Sequence, residues 1–179
     1  MSKLESLQLV GMKHSGKSSL GRLWSHRHGW AFYDLDHALE TIAGGHRTSR
    51  EIYRDEGKEG FQRWETEAAR RLVLRVKEAP TVIAWGGGTI TNPEAVEILR
   101  PWGTIIMLHD TAERLYERIE RGGRPAFLSA ERPWEDFLEL YEKRSRLMRE
   151  LTPHQLDAQG APLDEVLEKL ETLWNALHQ

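Results

Sequence analysis

Eight residues, Gly11-Met12-Lys13-His14-Ser15-Gly16-Lys17-Ser18, constrain this chain more than any other stretch. They fit the spacing of glycine, four residues, glycine, lysine, then serine or threonine. An apolar run, Leu7 to Val10, precedes them, and Ser19-Leu20 carry the pattern into a helix, which is the context the motif requires. A chance glycine-rich turn would explain the glycines but not the strand before and the helix after. Backbone N–H groups and a helix N-terminus can surround a chain of phosphates only where glycine lets the backbone come close, and Gly11 and Gly16 provide that access. Lys17 would then reach the β- and γ-phosphates, and the Ser18 hydroxyl would coordinate magnesium. His14, Ser15 and Ser19 fall in the same nucleotide-binding segment, although His14 reads better as a solvent-exposed loop side chain with no assigned role. ATP with Mg2+ is the pair this loop leads one to expect.

Short apolar runs alternate with longer amphipathic ones. Leu7 to Val10, Trp30 to Tyr33, Thr81 to Trp85, Thr104 to Leu108 and Gln155 to Ala158 read as five strands. Between them, Phe61 to Lys77, Thr111 to Ile119, Trp134 to Arg149 and Leu163 to Leu177 carry helical periodicity. This alternation predicts an α/β fold, a three-layer α/β/α sandwich around a five-stranded parallel sheet, whose ligands bind beyond the carboxyl ends of the strands. With 179 residues and no internal linker, the chain reads as one domain spanning 1–179. Glu120 to Arg132 is polar and aperiodic and contains Gly122-Gly123, so a mobile lid is expected around 120–132.

Two further groups of residues point toward the same end of the sheet. On an extended second strand, Asp34 and Asp36 stand two residues apart and would face one site, where one carboxylate could hold magnesium and the other a substrate hydroxyl. Helix capping is the competing use of aspartate at such a position. The third strand runs into Gly86-Gly87-Gly88 without a terminal acid, so Asp34 would have to supply the second magnesium contact. Three consecutive glycines are understandable where a ligand packs on backbone amides. An anionic acceptor would call for arginine, whose fork grips a carboxylate in two places, and Arg63, Arg124 and Arg144 are the candidates.

Composition narrows the classes. Lys and Arg number 25 against 28 Asp and Glu, which leaves no broad positive field for a nucleic acid. The absence of cysteine removes thiolate metal sites and cysteine nucleophiles and fits a reducing compartment. No apolar run reaches membrane-spanning or signal-peptide length, so a cytoplasmic enzyme, with no membrane or nucleic-acid partner and most simply a monomer, is expected. The seven tryptophans read as core and helix-packing residues.

The order of these motifs resembles the shikimate kinase family across nearly the whole chain. The resemblance is carried by the phosphate loop, Asp34-Leu-Asp36, Ser49-Arg-Glu-Ile-Tyr-Arg-Asp-Glu-Gly57 leading to Glu59-Gly-Phe-Gln-Arg63, the Gly86 triplet with Thr-Ile-Thr-Asn-Pro93, and Arg124-Pro125. It implies a fold like that of phosphate-loop NTPases and nucleoside monophosphate kinases, and transfer of the ATP γ-phosphate to a hydroxyl of shikimate. It also implies that Asp34 contacts magnesium through water, and that Asp36 binds substrate hydroxyls and assists deprotonation. Arg63 with Arg144 would clamp the substrate carboxylate, Gly86, Gly87 and Gly88 would line the pocket, and a helical segment around 36–65 would form the substrate side. Lys17 and Arg124 would stabilise the transferring phosphoryl group, with Arg118 or Arg121 against adenine. The chain departs from the family at Ala126-Phe127-Leu128, where two leucines are usual, at Ser145-Arg146-Leu147-Met148, where proline and tyrosine are often found, and at Trp85. These departures leave open a related kinase acting on gluconate or a nucleotide, or an ATP-binding sensor without transfer activity.

Overall fold

The computed structural model describes residues 5–125 and 127–179. Residues 1–4 and Ala126, one of the positions where the expected lid departs from the family pattern, lie outside the described residues. Five strands, β1 (Ser6–Val10), β2 (Ala31–Asp34), β3 (Thr81–Ala84), β4 (Thr104–His109) and β5 (Gln155–Asp157), run parallel in the order β2-β3-β1-β4-β5. The chain leaves central β1 toward the β2 edge and later crosses to β4 on the other side. The loop after β1 therefore emerges where strand order reverses, the crevice in which open α/β sheets bind ligands.

Residues alternate across the sheet as a strand's two-residue period demands. Leu7 and Leu9 of β1, Val82 of β3 and Ile106 and Leu108 of β4 face α1 (Lys17–His28) and α7 (Leu163–Leu177), packing with Leu20, Trp24, Leu170 and Trp174. Val10, Ile83 and Met107 point the other way, toward α2 (Leu35–Ile42), α3 (Ser49–Val76) and α4 (Pro93–Leu99). The polar member of this alternation is Gln8. It is fully buried and fully used, donating to Leu99 O at 2.8 Å and accepting from Trp85 Nε1 at 2.7 Å. A third cluster joins Met12 to Leu115 and Ile119 of α5 (Ala112–Gly122) and Phe137 of α6 (Pro133–Leu151), seating both helices beside the phosphate loop. Among the described residues, no helix is long and apolar enough to cross a membrane.

The α/β sandwich and its five strands follow the sequence pattern, with differences that matter at the site. The second strand stops at Asp34, whose side chain accepts from His37 N and caps α2, so Asp36 sits in the first turn of a helix and not on an extended strand. Aspartate's capping preference ends the strand before the two-residue period can align the carboxylates. Helix α3 starts at Ser49, twelve residues before the periodicity suggests, because Thr48 and Glu51 form a reciprocal capping box that nucleates it. Gly57 then kinks it (φ 69, ψ −173), which hides one long helix behind a broken pattern. The irregular segment expected around 120–132 begins at Gly123, since α5 persists through Gly122.

The Gly57 backbone lies in a region open essentially to glycine alone. Gly57→Ala is expected to lower stability by about 1–3 kcal/mol in urea denaturation. A change below about 0.5 kcal/mol, the scatter of ordinary surface substitutions, would contradict the strain assigned to the kink.

Candidate active site

The loop from Gly11 to Gly16 turns tightly at the end of β1. A Cβ on Gly11 would meet Leu108 O at 2.6 Å, and Gly16 is left-handed (φ 94) where it caps α1 without a side-chain hydrogen bond. The first N–H groups of α1 therefore open on the crevice, with the positive end of the helix behind them. Lys17 is buried, and its ammonium donates to Met12 O at 2.8 Å. Burial lowers its pKa to about 8, against the pull of Asp36 and Asp34.

Asp34 and Asp36 meet near Lys17 by a route other than the strand period. Asp34 accepts from both Ser18 Oγ and His37 N, so it caps α2 and touches the phosphate-loop serine at once. Asp36 reaches the glycine triplet, and burial, then Asp34, then Glu65 push its carboxyl up to about 6. Ser18 Oγ and the Asp34 carboxylate are two adjacent hard oxygen donors beside the loop, a set that suits magnesium completed by water and phosphate oxygens.

The triplet works differently from the sequence expectation. A Cβ on Gly86 would lie 2.6 Å from Asp36 Oδ1, one on Gly87 2.9 Å from Lys13 N, and one on Gly88 3.2 Å from an Arg144 Nη. Each glycine admits one of the protein's own groups, so the three together bring the acid, the phosphate loop and the arginine onto one floor. Behind them Glu65 accepts from Thr89 Oγ1 at 2.6 Å and Asn92 Nδ2 at 2.8 Å and lies near Arg144. The sequence reading missed Glu65 and Asn92. The signal available was Asn92-Pro93, an N-cap followed by a proline that opens α4.

The arginines part company. Arg144 is mostly enclosed, its Nε has no hydrogen-bond partner among the described residues, and burial lowers its pKa against the opposing charge of Glu65. It lines a cleft of about 700 Å3 shared with Lys13, Asp36, Glu65, Gly87 and Gly88. Arg63 is not brought there. It is exposed, its guanidinium lying toward Gly60 and Glu56, while Gln62 lines the cleft and donates to Thr91 O at 3.1 Å. One residue along a helix is a turn of about 100°, so the face that presents Gln62 and Glu65 to the cleft points Arg63 away. Arg124 pairs with Glu120 at 3.0 Å outside the cleft lining, and its carbonyl accepts from Arg50 at 3.1 Å. Arg121 is 81% exposed beside Glu117, while Arg118 bridges His14 O and the Asp110 carboxylate, both at 2.9 Å. Ser15 is buried within the loop, and Ser19 lies exposed in the first turn of α1.

Comparison with known proteins gives a consistent result. A family model described as "Shikimate kinase" matches residues 13–174. A shikimate kinase of Thiobacillus denitrificans is 34% identical over 157 residues, covering 88% of this chain and 83% of the relative. Shikimate kinase 2 of Sodalis glossinidius is 32% identical over 174 residues, covering 95% and 96%. The solved structure of the Acinetobacter baumannii shikimate kinase in complex with shikimate superposes with a TM-score of 0.86 at 28% identity, covering 97% of this chain and 94% of that one.

The raised pKa of Asp36 has a stability sign. Its carboxyl is harder to ionise in the folded protein than in the unfolded chain, so a cost appears as pH rises from 3.8 to about 6 and is fully present above. Asp36→Asn is therefore expected to stabilise the free protein by roughly 1–3 kcal/mol at about pH 7.5, with the gain vanishing near pH 4. Urea denaturation at the two pH values checks this, and a loss of stability at the higher pH would contradict it.

Proposed function

Because the chain belongs to the shikimate kinase family, we propose that it transfers the γ-phosphate of ATP to a hydroxyl of shikimate, giving shikimate 3-phosphate. One observation carries the choice of an acidic acceptor. Arg144, a largely enclosed guanidinium whose Nε has no hydrogen-bond partner among the described residues, opens on the same cleft as Asp36 and the phosphate loop. Glu65 lies near it but leaves that N–H unpaired, and a substrate carboxylate would satisfy it with bidentate geometry.

In this reading Gly11, Ser15, Gly16, Ser18 and Ser19 surround the nucleotide phosphates with backbone and hydroxyl groups, and His14 stands in the same loop. Lys17 leaves Met12 O for the β- and γ-phosphates, whose charge restores its full protonation at neutral pH. Ser18 and Asp34 would hold magnesium, which shields the phosphate charge when bound. Arg144 holds the acceptor carboxylate, Gly86, Gly87 and Gly88 form the floor beneath it, and Gln62 adds a neutral amide from α3 where Arg63 was expected. Asp36, made more basic by its burial, accepts a hydrogen bond from the attacking hydroxyl and then its proton. Arg124 must exchange Glu120 for the transferring phosphoryl group, which requires the segment after Gly123 to close over the cleft, as a lid would. Arg121 stands at the exposed end of α5, on the side proposed for adenine. The proposed setting is the cytoplasm, with the chain acting as a monomer.

The test is ADP release by the purified protein with ATP, magnesium and shikimate, against a blank without acceptor and against gluconate and other hydroxy acids. Shikimate-dependent release is expected. Release with another acid alone would overturn the acceptor, and ATP binding without release to any acceptor would favour a sensor. Within the same assay Arg144→Ala should raise the shikimate KM at least about tenfold while leaving that for ATP nearly unchanged. Arg63→Ala should leave both within about twofold, and a large acceptor effect there would contradict the placement of Arg63 outside the cleft.

A further inference from the structure

His14 is a polar side chain of the phosphate loop to which, as to Lys13, the mechanism above gives no task. Its backbone has φ 64. Residues with side chains adopt this left-handed conformation rarely, and it persists only where the surroundings hold it. Two contacts hold it here. The His14 carbonyl accepts from Arg118 at 2.9 Å, and the same guanidinium donates to the buried Asp110 carboxylate at 2.9 Å. The imidazole packs on Gly122, the last residue of α5, where a Cβ would lie 3.3 Å from Cε1 and 3.6 Å from Nε2. Both His14 and Gly122 line the cleft, beside Lys13. Glycine would meet the backbone requirement at position 14 without strain, so the imidazole points to a use for the ring.

We propose that His14 is a nucleotide-binding residue whose imidazole, protonated on binding, donates a hydrogen bond to the polyphosphate held by the loop. The inference rests on the kinase reading given above and adds a group and a proton to it. The charged groups facing the ring are Lys13 and Lys17 of the loop and Arg118 of α5. His14 is exposed overall, but partial desolvation first, and these cations next, hold the imidazole below its usual pKa of 6.5, which disfavours its charged form in the free protein. A polyphosphate placed among the same cations reverses the local field and raises that pKa. The sign follows: the ring takes up a proton as nucleotide binds, so its contribution to affinity grows as pH falls.

MgADP affinity measured by titration calorimetry at about pH 6.5 and about pH 8.5, for the wild type and His14→Gly, tests this. Glycine accepts φ 64 without strain, so the variant should fold with an unlowered Tm. MgADP binding by His14→Gly is expected to be weaker by about tenfold at the lower pH and within about twofold of wild type at the higher. His14→Asn, which tolerates the left-handed backbone but does not titrate, should show the same pH-dependent gap. Equal affinity at both pH values, or an equal loss at both, would overturn the proposal by leaving His14 no role or only a structural one. A wild type that binds no MgADP would overturn the kinase reading together with it.

Discussion

Three ionisable side chains are held largely out of water, Asp36 and Arg144 against the Gly86-Gly87-Gly88 backbone and Lys17 within the neighbouring phosphate loop, and the site depends on that shared burial. In each case burial is the first cause of the shift and works against the charged form: Lys17 falls to about 8, Asp36 rises to about 6, and Arg144 is lowered. Their mutual attraction offsets this only in part. The free protein therefore carries charge that a polyphosphate and a carboxylate would satisfy better than its own residues do. Such sites cost stability while they wait for substrate, and the two buried faces of the sheet supply what the cleft withholds.

The fold explains why these groups can meet. Parallel strands with helices on both faces leave the phosphate loop at the centre of the sheet, at the reversal of strand order, with β3 and its glycines directly beside it. Helices α2 and α3 cover one side of that crevice, and α5 and α6 close the other. Tight or left-handed backbone at Gly11, His14 and Gly16 lies within the loop itself, and the kink at Gly57 lies in α3, which also lines the cleft. Of the two non-glycine residues with positive φ among the described residues, His14 lies in this loop and Gln159 in the turn after β5.

Much of this was legible in the sequence, because the phosphate loop and the alternation of apolar runs depend on local spacing. What depends on phase was less so. The pair Asp34 and Asp36 comes together, but through a helix cap and not a strand period, since a capping aspartate and a strand-end aspartate look alike in a linear sequence. The glycine triplet stands where a ligand floor was expected, yet the atoms that crowd it are the protein's own. Arg63 was the more conspicuous residue and Gln62 the one facing the cleft. A helix kinked at Gly57 gives no clear apolar stripe from which to set the facing side, and one residue of phase exchanges the two. Glu65 and Asp110 were invisible for a related reason: in a chain with 28 acidic residues, nothing local marks the ones that folding will bury.

The most direct test of this account is the ionisation of Asp36 itself in the free protein, followed by carbon NMR of its side-chain carboxyl across the acidic and neutral range. A midpoint near 6 is predicted, from burial beside Asp34 and Glu65. A midpoint at the ordinary 3.8 would mean that the carboxyl is effectively in water, and would contradict the claim that the cleft is built from desolvated charge awaiting its substrates.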